Sequence, residues 1–260
     1  QRFRDASWLE ATLVFLASNF LIFATSVTAC WLLGKLFAKR RIFSEWEPFS
    51  VVEFSAVILA VILNGLVSLI GWFLWRADYI VLQNKPGWNV VLDLMVMLLA
   101  MDLGMYVLHR IAHHRLIYAL VHRFHHRHEM TNPYSLFMLH PLEVLGFSGL
   151  MVAFLLAYTI SPPALFAYLI LNVVFGTIGH SGVELFPLAT KRIPALRLIG
   201  TSTFHAEHHE HKAYNFGFYT LIWDHFFGTL DPEYWDRFTD AIVPTKPLQP
   251  DGNQAVSPKR

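Results

Sequence analysis

Long apolar segments constrain this sequence more than any other feature. Residues 9–34 contain no lysine or arginine, and residues 54–75 and 89–108 form two further apolar runs. An α-helix of about 20 such residues crosses the roughly 30 Å hydrocarbon core of a bilayer. The chain is 15% charged and 55% hydrophobic, whereas a soluble domain is about 25% charged. We therefore predict an all-α, integral membrane helical bundle with about three long spans.

Two shorter apolar runs, 143–160 and 164–179, flank a Ser-Pro-Pro turn. Each is slightly short for a full crossing, so they predict a helical hairpin that either spans the bilayer or dips in and returns. Basic residues stay on the cytoplasmic side, and placing 35–41 there leaves 16 of the 20 lysines and arginines inside. All 14 histidines then also lie inside. This predicts a cytoplasmic His-rich helical cap, in a bacterial inner membrane or the endoplasmic reticulum.

The histidines are concentrated in three boxes. All 14 lie between residues 109 and 225. The boxes read HRIAHH at 109–114, HRFHH at 122–126 and HAEHH at 205–209. Residues three or four apart on a helix share a face, with Cβ atoms about 5–6 Å apart, so two such imidazoles can bind one ion. The extra adjacent histidine in each box points elsewhere, which predicts a second ion.

This donor set predicts a metal centre with nitrogen and oxygen ligands. The single cysteine, Cys30, excludes a disulfide framework and any CxxC site. Eight or more imidazoles exceed the four ligands of a mononuclear zinc site, and imidazole also suits iron. The count therefore favours two metals with open positions. His128, His211 and His225 fall outside the repeated spacing and are as readily interpreted as polar residues at the headgroup boundary.

Three other classes of function fit the sequence less well. A zinc-dependent membrane hydrolase would carry HExxH, and no glutamate here has that spacing. A non-enzymatic metal transporter would need polar ligands along its spans, whereas the histidines lie at one end. The net charge of +1 gives no general attraction for nucleic acid.

The boxes, together with the segments that contain HPLE and WDHFFGT, resemble the fatty acid hydroxylase superfamily, which includes sterol desaturases and sterol methyl oxidases. The similarity covers roughly 95–230. It implies a membrane-bound, non-haem di-iron oxidoreductase that uses O2 to hydroxylate or desaturate a lipid, such as a fatty acyl chain or a sterol. Two iron ions are the implied cofactors. Electrons would come from an external donor, a ferredoxin or a cytochrome b5-like protein.

The resemblance also implies the metal ligands, residue by residue. The i+4 spacing favours His113, but family members with the longer spacing would use His114. His140 is a ligand, an outer hydrogen-bonding group or simply a helix cap, and Glu184 stands near a position where some members have a further histidine. The candidates are His109, His113, His114, His122, His125, His126, His140, His180, His205, His208 and His209.

The resemblance divides the chain into a transmembrane region at 1–88, a fatty acid hydroxylase-like catalytic domain at 89–235 and a tail at 236–260. Asp102 lies seven residues before His109, so it either orients that ring or forms an interhelical hydrogen bond. Asp93 is predicted to be structural. The basic residues beside the boxes either dock an acidic electron donor or contact anionic lipid; they are Arg110, Arg115, Arg123, Arg127, Lys191 and Arg192.

Overall fold

The all-α prediction is confirmed in a computed structural model that describes residues 3–43, 50–127 and 129–243. Within these ranges the chain forms α-helices and short 3-10 turns, and the only β pairings are isolated bridges. His128 and most of the predicted tail, residues 244–260, lie outside the described residues. The helices are α1 (Trp8–Leu36), α2 (Val51–Arg76), α3 (Gly87–Ala112), α4 (Tyr118–Val121), α5 (Pro141–Ala157), α6 (Pro162–Gly179), α7 (Ala189–Arg192), α8 (Ser202–Glu210), α9 (Ile222–Phe227) and α10 (Tyr234–Ile242).

Among the described residues, four helices are long and apolar enough to cross a membrane. They are α1, α2, α3 and α6, with 29, 26, 26 and 18 residues. These helices have apolar side chains on all faces, as expected for helices that contact both lipid and one another. The remaining apolar helix, α5, has 17 residues and a length of about 25 Å. The chain is therefore an integral membrane helical bundle.

Two membrane helices begin at a serine that satisfies the free backbone N–H groups of the first turn. The Ser7 hydroxyl accepts a hydrogen bond from Glu10 N at 3.2 Å, and the Glu10 carboxylate accepts one from Ser7 N at 2.8 Å. Ser50 and Glu53 form the same reciprocal pair at the start of α2. Such capping boxes set where an apolar run begins to be helical.

The hairpin of α5 and α6 packs against α1, α2 and α3. Its turn meets the connection between α2 and α3, because Gln83 N donates to Ile160 O at 3.0 Å. Asp93 of α3 accepts hydrogen bonds from Lys85 Nζ and Ser161 N, both at 2.8 Å. The predicted structural role of Asp93 is thus confirmed. The hairpin turn lies at one end of the bundle, and the histidines lie at the other.

The basic segment after α1 lies at the histidine end. Ile42 N donates to Gly182 O at 3.0 Å, and Glu184 N donates to Arg40 O at 2.9 Å. These contacts place Lys39 to Arg41 beside the residues that follow His180. The orientation predicted from the sequence puts this basic segment and the histidines on the same side of the membrane, so it requires both to lie at the same end of the bundle.

A small cap of short helices covers the histidine end. Its apolar core consists of Phe204 in α8, Leu221 before α9, and Tyr234 and Phe238 in α10, each at most 1% exposed. The helix α8 also contacts α6. The third histidine box is therefore held against the end of a membrane helix by its own packed core.

Close packing of α3 against α5 depends on Gly104. A Cβ atom at this position would lie 2.6 Å from Leu150 Cδ2 and 3.2 Å from Leu150 Cγ. We expect Gly104→Val to lower the free energy of unfolding by about 1–3 kcal/mol, because overpacking forces the helices apart. Thermal unfolding in detergent would measure the loss.

Gly149→Val in α5 is the matched control, because nothing lies within 4 Å of a Cβ there. Adding Leu150→Ala to Gly104→Val should restore most of the lost stability. An equal loss in the two valine variants would show that Gly104 is not a packing contact.

Candidate metal centre

Nine histidines converge at one end of the bundle into two clusters. In each cluster the candidate ligand nitrogens all lie within 4.8 Å of one another. The first cluster contains His109, His113, His122, His126 and His208, and the second contains His125, His180, His205 and His209. The two clusters adjoin, because the rings of His126 and His209 are 4.6 Å apart.

The helix ends place these side chains. His109 lies in the last turn of α3, and His113 caps the C-terminus of that helix. His180 caps the C-terminus of α6 in the same way. The third box lies on α8, whereas the second box occupies the end of α4 and a 3-10 turn. The ends of α3 and α6 therefore supply His109, His113 and His180, and the shorter elements supply the two HxxHH boxes.

Adjacent histidines in the second and third boxes serve different clusters. His126 and His208 belong to the first cluster, whereas His125 and His209 belong to the second. Successive residues on a helix point about 100° apart, so one turn of chain can supply both clusters. The predicted division of adjacent histidines holds for these boxes. In the first box the extra histidine, His114, is exposed.

The ring nitrogens approach one another at the spacing that a shared cation requires. His126 Nε2 lies 3.1 Å from Nε2 of both His113 and His122, and 3.0 Å from His208 Nε2. In the second cluster, Nε2 of His205 and His180 are 3.0 Å apart. Two nitrogens bound at right angles to one ion, each at about 2.0–2.1 Å, are about 2.9 Å apart. Neutral imidazoles that carry their proton on Nδ1 have only lone pairs at Nε2, so a cation bound here would satisfy them.

Contacts on the other ring nitrogen orient the lone pairs inward. His109 Nδ1 donates to Phe216 O at 2.9 Å, and His208 Nδ1 donates to Tyr214 O at 2.6 Å. His125 Nδ1 lies 3.3 Å from Met138 O. A carbonyl oxygen only accepts, so Nδ1 carries the proton and Nε2 presents its lone pair to the cluster. This is the tautomer that binds a metal through Nε2.

Burial keeps the rings neutral. It lowers the pKa of His125 from its ordinary 6.5 to about 4. It also lowers the pKa of His113, with a further contribution from neighbouring histidines, to about 2. The pKa of His208 is lowered by the same two causes. Neutral imidazole is the state that binds a metal, so the site is ready for a cation at neutral pH.

The loop that supplies two of the carbonyls turns at Asn215. This residue has φ 59°, in the left-handed region that asparagine tolerates. Its amide Nδ2 donates to Phe204 O at 3.2 Å. The carboxylate of Asp224 accepts from Phe216 N at 2.8 Å and Gly217 N at 2.7 Å. The turn thereby directs the carbonyls on both sides of Asn215 toward the first cluster.

The sequence interpretation assigned no role to Glu143. Its carboxylate contacts His122 Nδ1 and accepts a hydrogen bond from His140 N at 2.9 Å. It is therefore the carboxylate that orients His122, as is usual for a metal-binding histidine. The only signal in the sequence was the HPLE motif, in which a glutamate follows His140 at the spacing of a capping box.

Two of the eleven predicted ligands lie outside both clusters. The His114 ring is exposed on the chain after α3, because the helix ends before it. His140 caps α5, with Nδ1 accepting from Leu142 N at 3.2 Å. The structure thus brings His113, rather than His114, into the first cluster, and gives His140 the helix-capping role.

The other acidic candidates hold the scaffold rather than a histidine. Asp102 accepts hydrogen bonds from Tyr219 N at 2.9 Å and Thr220 Oγ1 at 2.5 Å, which ties the loop before α9 to α3. Asp102 was predicted to orient His109 or to form an interhelical hydrogen bond, but its hydrogen bonds join α3 to a loop. Glu184 accepts from Thr203 N at 2.9 Å and holds the first turn of α8.

A group of charged residues lies beside the clusters but is already paired. His211 Nδ1 lies 2.9 Å from Asp231 Oδ2, and Arg237 Nη1 lies 3.0 Å from Glu207 Oε2. The guanidinium supplies the positive charge that these carboxylates need, so the group is a salt-bridge network. His225 is exposed, so neither His211 nor His225 belongs to the two clusters.

A small cavity adjoins the second cluster. It is lined by His180 and His205 and, on the membrane side, by Phe175, Gly176 and Phe218. Its volume is about 10 Å³, which is room for one molecule the size of water. The cavity therefore places apolar side chains next to two of the clustered imidazoles.

Comparison with known proteins identifies the family. The sequence profile described as fatty acid hydroxylase matches residues 94–229, more than half of the chain. This range contains all nine clustered histidines and the loop that orients them. The chain belongs to the fatty acid hydroxylase family.

Several relatives are known by name. A cholesterol 25-hydroxylase-like protein of Danio rerio is 31% identical, over 63% of this chain and 65% of its own length. The Delta(7)-sterol 5(6)-desaturase of Leptosphaeria maculans is 24% identical, over 63% of this chain and 45% of its own length. The very-long-chain aldehyde decarbonylase CER1 of Arabidopsis thaliana is 27% identical, over 84% of this chain and 36% of its own length. This chain spans only 26% of the rice aldehyde decarbonylase GL1-1, and no solved structure matches it.

Removing the carboxylate behind His122 should weaken metal binding. We expect Glu143→Ala to lower metal affinity by about 10–100-fold, because His122 Nδ1 loses the partner that fixes its orientation. Glu143→Gln should lose less, since the amide oxygen still accepts from the ring. Metal retained after dialysis against graded chelator measures the effect.

Glu233→Ala is the matched control, because that side chain is 72% exposed and contacts no clustered histidine. Equal metal retention in the wild-type protein and in Glu143→Ala would show that Glu143 does not orient a ligand.

Acid should destabilise the metal-depleted protein. The buried rings stay neutral when folded, but in the unfolded chain they protonate below their ordinary pKa of 6.5. The unfolded state therefore binds more protons, so the free energy of unfolding falls as pH drops from 6.5 to about 4. We expect the thermal midpoint to decline over this range, and less steeply in His125→Ala. A midpoint independent of pH would contradict neutral buried rings.

Proposed function

We propose that the protein is a membrane-bound, non-haem di-iron oxidoreductase that uses O2 to oxidise a lipid. One iron ion is assigned to each histidine cluster. The observation that carries this proposal is the convergence of nine neutral imidazoles into two adjoining donor sets. The family match supports it, because its profile covers every one of these ligands.

The chain contributes a preorganised donor set. His109, His125 and His208 present Nε2 lone pairs because backbone carbonyls hold their Nδ1 protons. Four or five imidazoles per ion leave coordination positions open in a six-coordinate ion. When bound, the two irons would supply the redox chemistry that activates O2 for attack on a C–H bond.

The surroundings of the second cluster suit an apolar reaction partner. Phe175, Phe218 and Gly176 wall the cavity beside His180 and His205. A cavity of this size excludes bulk water, which would limit side reactions of a strong oxidant. The reacting part of the lipid would approach along the same apolar wall.

The substrate class rests on the relatives. Their names specify a cholesterol hydroxylase-like protein, a sterol desaturase and a very-long-chain aldehyde decarbonylase. These reactions share a long apolar substrate, so we assign a lipid to this chain: a fatty acyl compound, a sterol or a similar molecule. Hydroxylation, desaturation and aldehyde conversion would be distinguished by product mass.

The proposed reaction needs electrons from another protein. Hydroxylation and desaturation both reduce O2 with electrons beyond those that the substrate supplies. We assign an external donor, a ferredoxin or a cytochrome b5-like protein. The cytoplasmic side is proposed for the cap, because the basic residues 39–41 lie at the histidine end and basic residues stay inside.

Iron content and oxygen use test the proposal together. We expect two irons per chain, and O2 consumption that increases when a lipid extract and a reduced surrogate donor are added. Zinc in place of iron, with lipid turnover that needs no O2, would instead indicate a hydrolase. A preparation with two irons that never consumes O2 would overturn the proposed oxidation.

Single substitutions test the two clusters separately. His208→Ala in the first cluster and His125→Ala in the second should each abolish lipid oxidation and lower iron content, because each ion loses a buried ligand. His114→Ala and His225→Ala are matched controls, since both rings are exposed. Full iron and activity in His125→Ala or His208→Ala would remove that residue from the site.

A further inference from the structure

The chain leaves the membrane at the residues that follow His109. The helix α3 has 26 residues and is about 39 Å long, whereas the hydrocarbon core of a bilayer is about 30 Å thick. Its last turns therefore emerge at the level of the lipid headgroups. Residues 110–123, which we call the post-α3 segment, continue from that level.

One side of the post-α3 segment is exposed and apolar, and the other side packs against the first cluster. Leu116 and Leu120 are 76% and 71% exposed, so each leaves most of its apolar surface without a protein contact. Between them, Tyr118 turns inward, and its ring packs 5.4 Å from the ring of His113 and 6.0 Å from that of His126. The segment thus lies between the first cluster and the surroundings of the two exposed leucines.

The polar side chains of the segment are basic. It contains Arg110, Arg115 and Arg123 and no aspartate or glutamate. All three arginines are exposed. Among the described residues, no ion pair involves them. Arg110 packs over the Phe216 ring, with Cζ 4.9 Å from the ring centroid, whereas Arg115 and Arg123 flank the two leucines. Exposed leucines flanked by these two arginines fit a surface that is apolar beneath and anionic above, as at the boundary of a bilayer.

The apolar side of the segment continues the lipid-facing surface of α3. Val107 and Ile111 are exposed on the last turns of α3. Next to them, Phe227 stacks on Tyr106 at 5.3 Å, and its neighbour Phe226 is 76% exposed. The exposed leucines therefore follow directly on exposed apolar residues of a candidate membrane helix.

We propose that the post-α3 segment lies in the headgroup layer of an anionic bilayer. Leu116 and Leu120 insert at the boundary of the acyl chains, and Arg115 and Arg123 bind lipid phosphates. Tyr118 then forms a wall one residue thick between the first cluster and the lipid. A lipid molecule at this position lies beside the cluster without having entered water. The inference does not depend on iron or on the reaction.

Site-specific fluorescence tests the depth of the segment. Cys30, the only cysteine, is fully buried, so Leu116→Cys and Leu120→Cys can each be labelled selectively with a small environment-sensitive dye. The matched control is Ala213→Cys, at an exposed position beside the charged residues His211, Lys212 and Arg237. The protein is reconstituted in bilayers that contain phosphatidylglycerol.

We expect lipids brominated near the headgroup to quench the dyes at 116 and 120, and aqueous iodide to quench the dye at 213. Replacing Arg115 or Arg123 by glutamine removes one positive charge, so it should lower the equilibrium constant for insertion of the segment by about fivefold per arginine in anionic bilayers, and much less in zwitterionic ones. Equal iodide quenching at 116 and 213 would overturn the proposal. So would protection of the dye at 116 that appears only when a soluble acidic protein, such as a ferredoxin, is added.

Discussion

Nine imidazoles can share so small a volume only if they are neutral, and they can bind a metal only if their lone pairs point inward. In the first cluster, the Nδ1 protons of His109 and His208 are held by the carbonyls of Phe216 and Tyr214. These carbonyls lie on either side of Asn215, whose left-handed backbone conformation turns both toward the histidines. The cap holds the loop that carries these two carbonyls in place. Asp224 fixes the loop from one side, and the packed core of the cap supports it from the other.

The membrane helices bring together histidines that are far apart in sequence. The α5–α6 hairpin returns the chain to the end where α3 finished, so His180 arrives beside residues of the second box, and its ring lies 5.6 Å from that of His125. Asp102, within α3, binds the backbone of the loop before α9. A carboxylate inside a span is costly unless it is well satisfied, and here it joins the membrane region to the cap. The loop that precedes α9 is thereby fixed to a membrane helix.

Local periodicity made much of this structure predictable. The apolar runs predicted the long helices, and the HxxHH spacing predicted that adjacent histidines diverge, as His125 and His126 do. Long-range partners were not predictable, because no sequence spacing reveals them. Glu143 contacts His122 across 21 residues, and Asp102 reaches Thr220 across 118. The distinction between His113 and His114 depended on where α3 ends, which is the least certain property of a helix inferred from sequence.

The alternation within α8 has a mechanical consequence. His208 and His209 are joined by a single peptide bond, yet they face different clusters. The distance between the two groups of ligands is therefore set by the rigid geometry of one helical turn, rather than by the relative positions of separate domains. Any tilt or slide of α8 displaces both donor sets together, so neither can be tightened or opened without disturbing its neighbour.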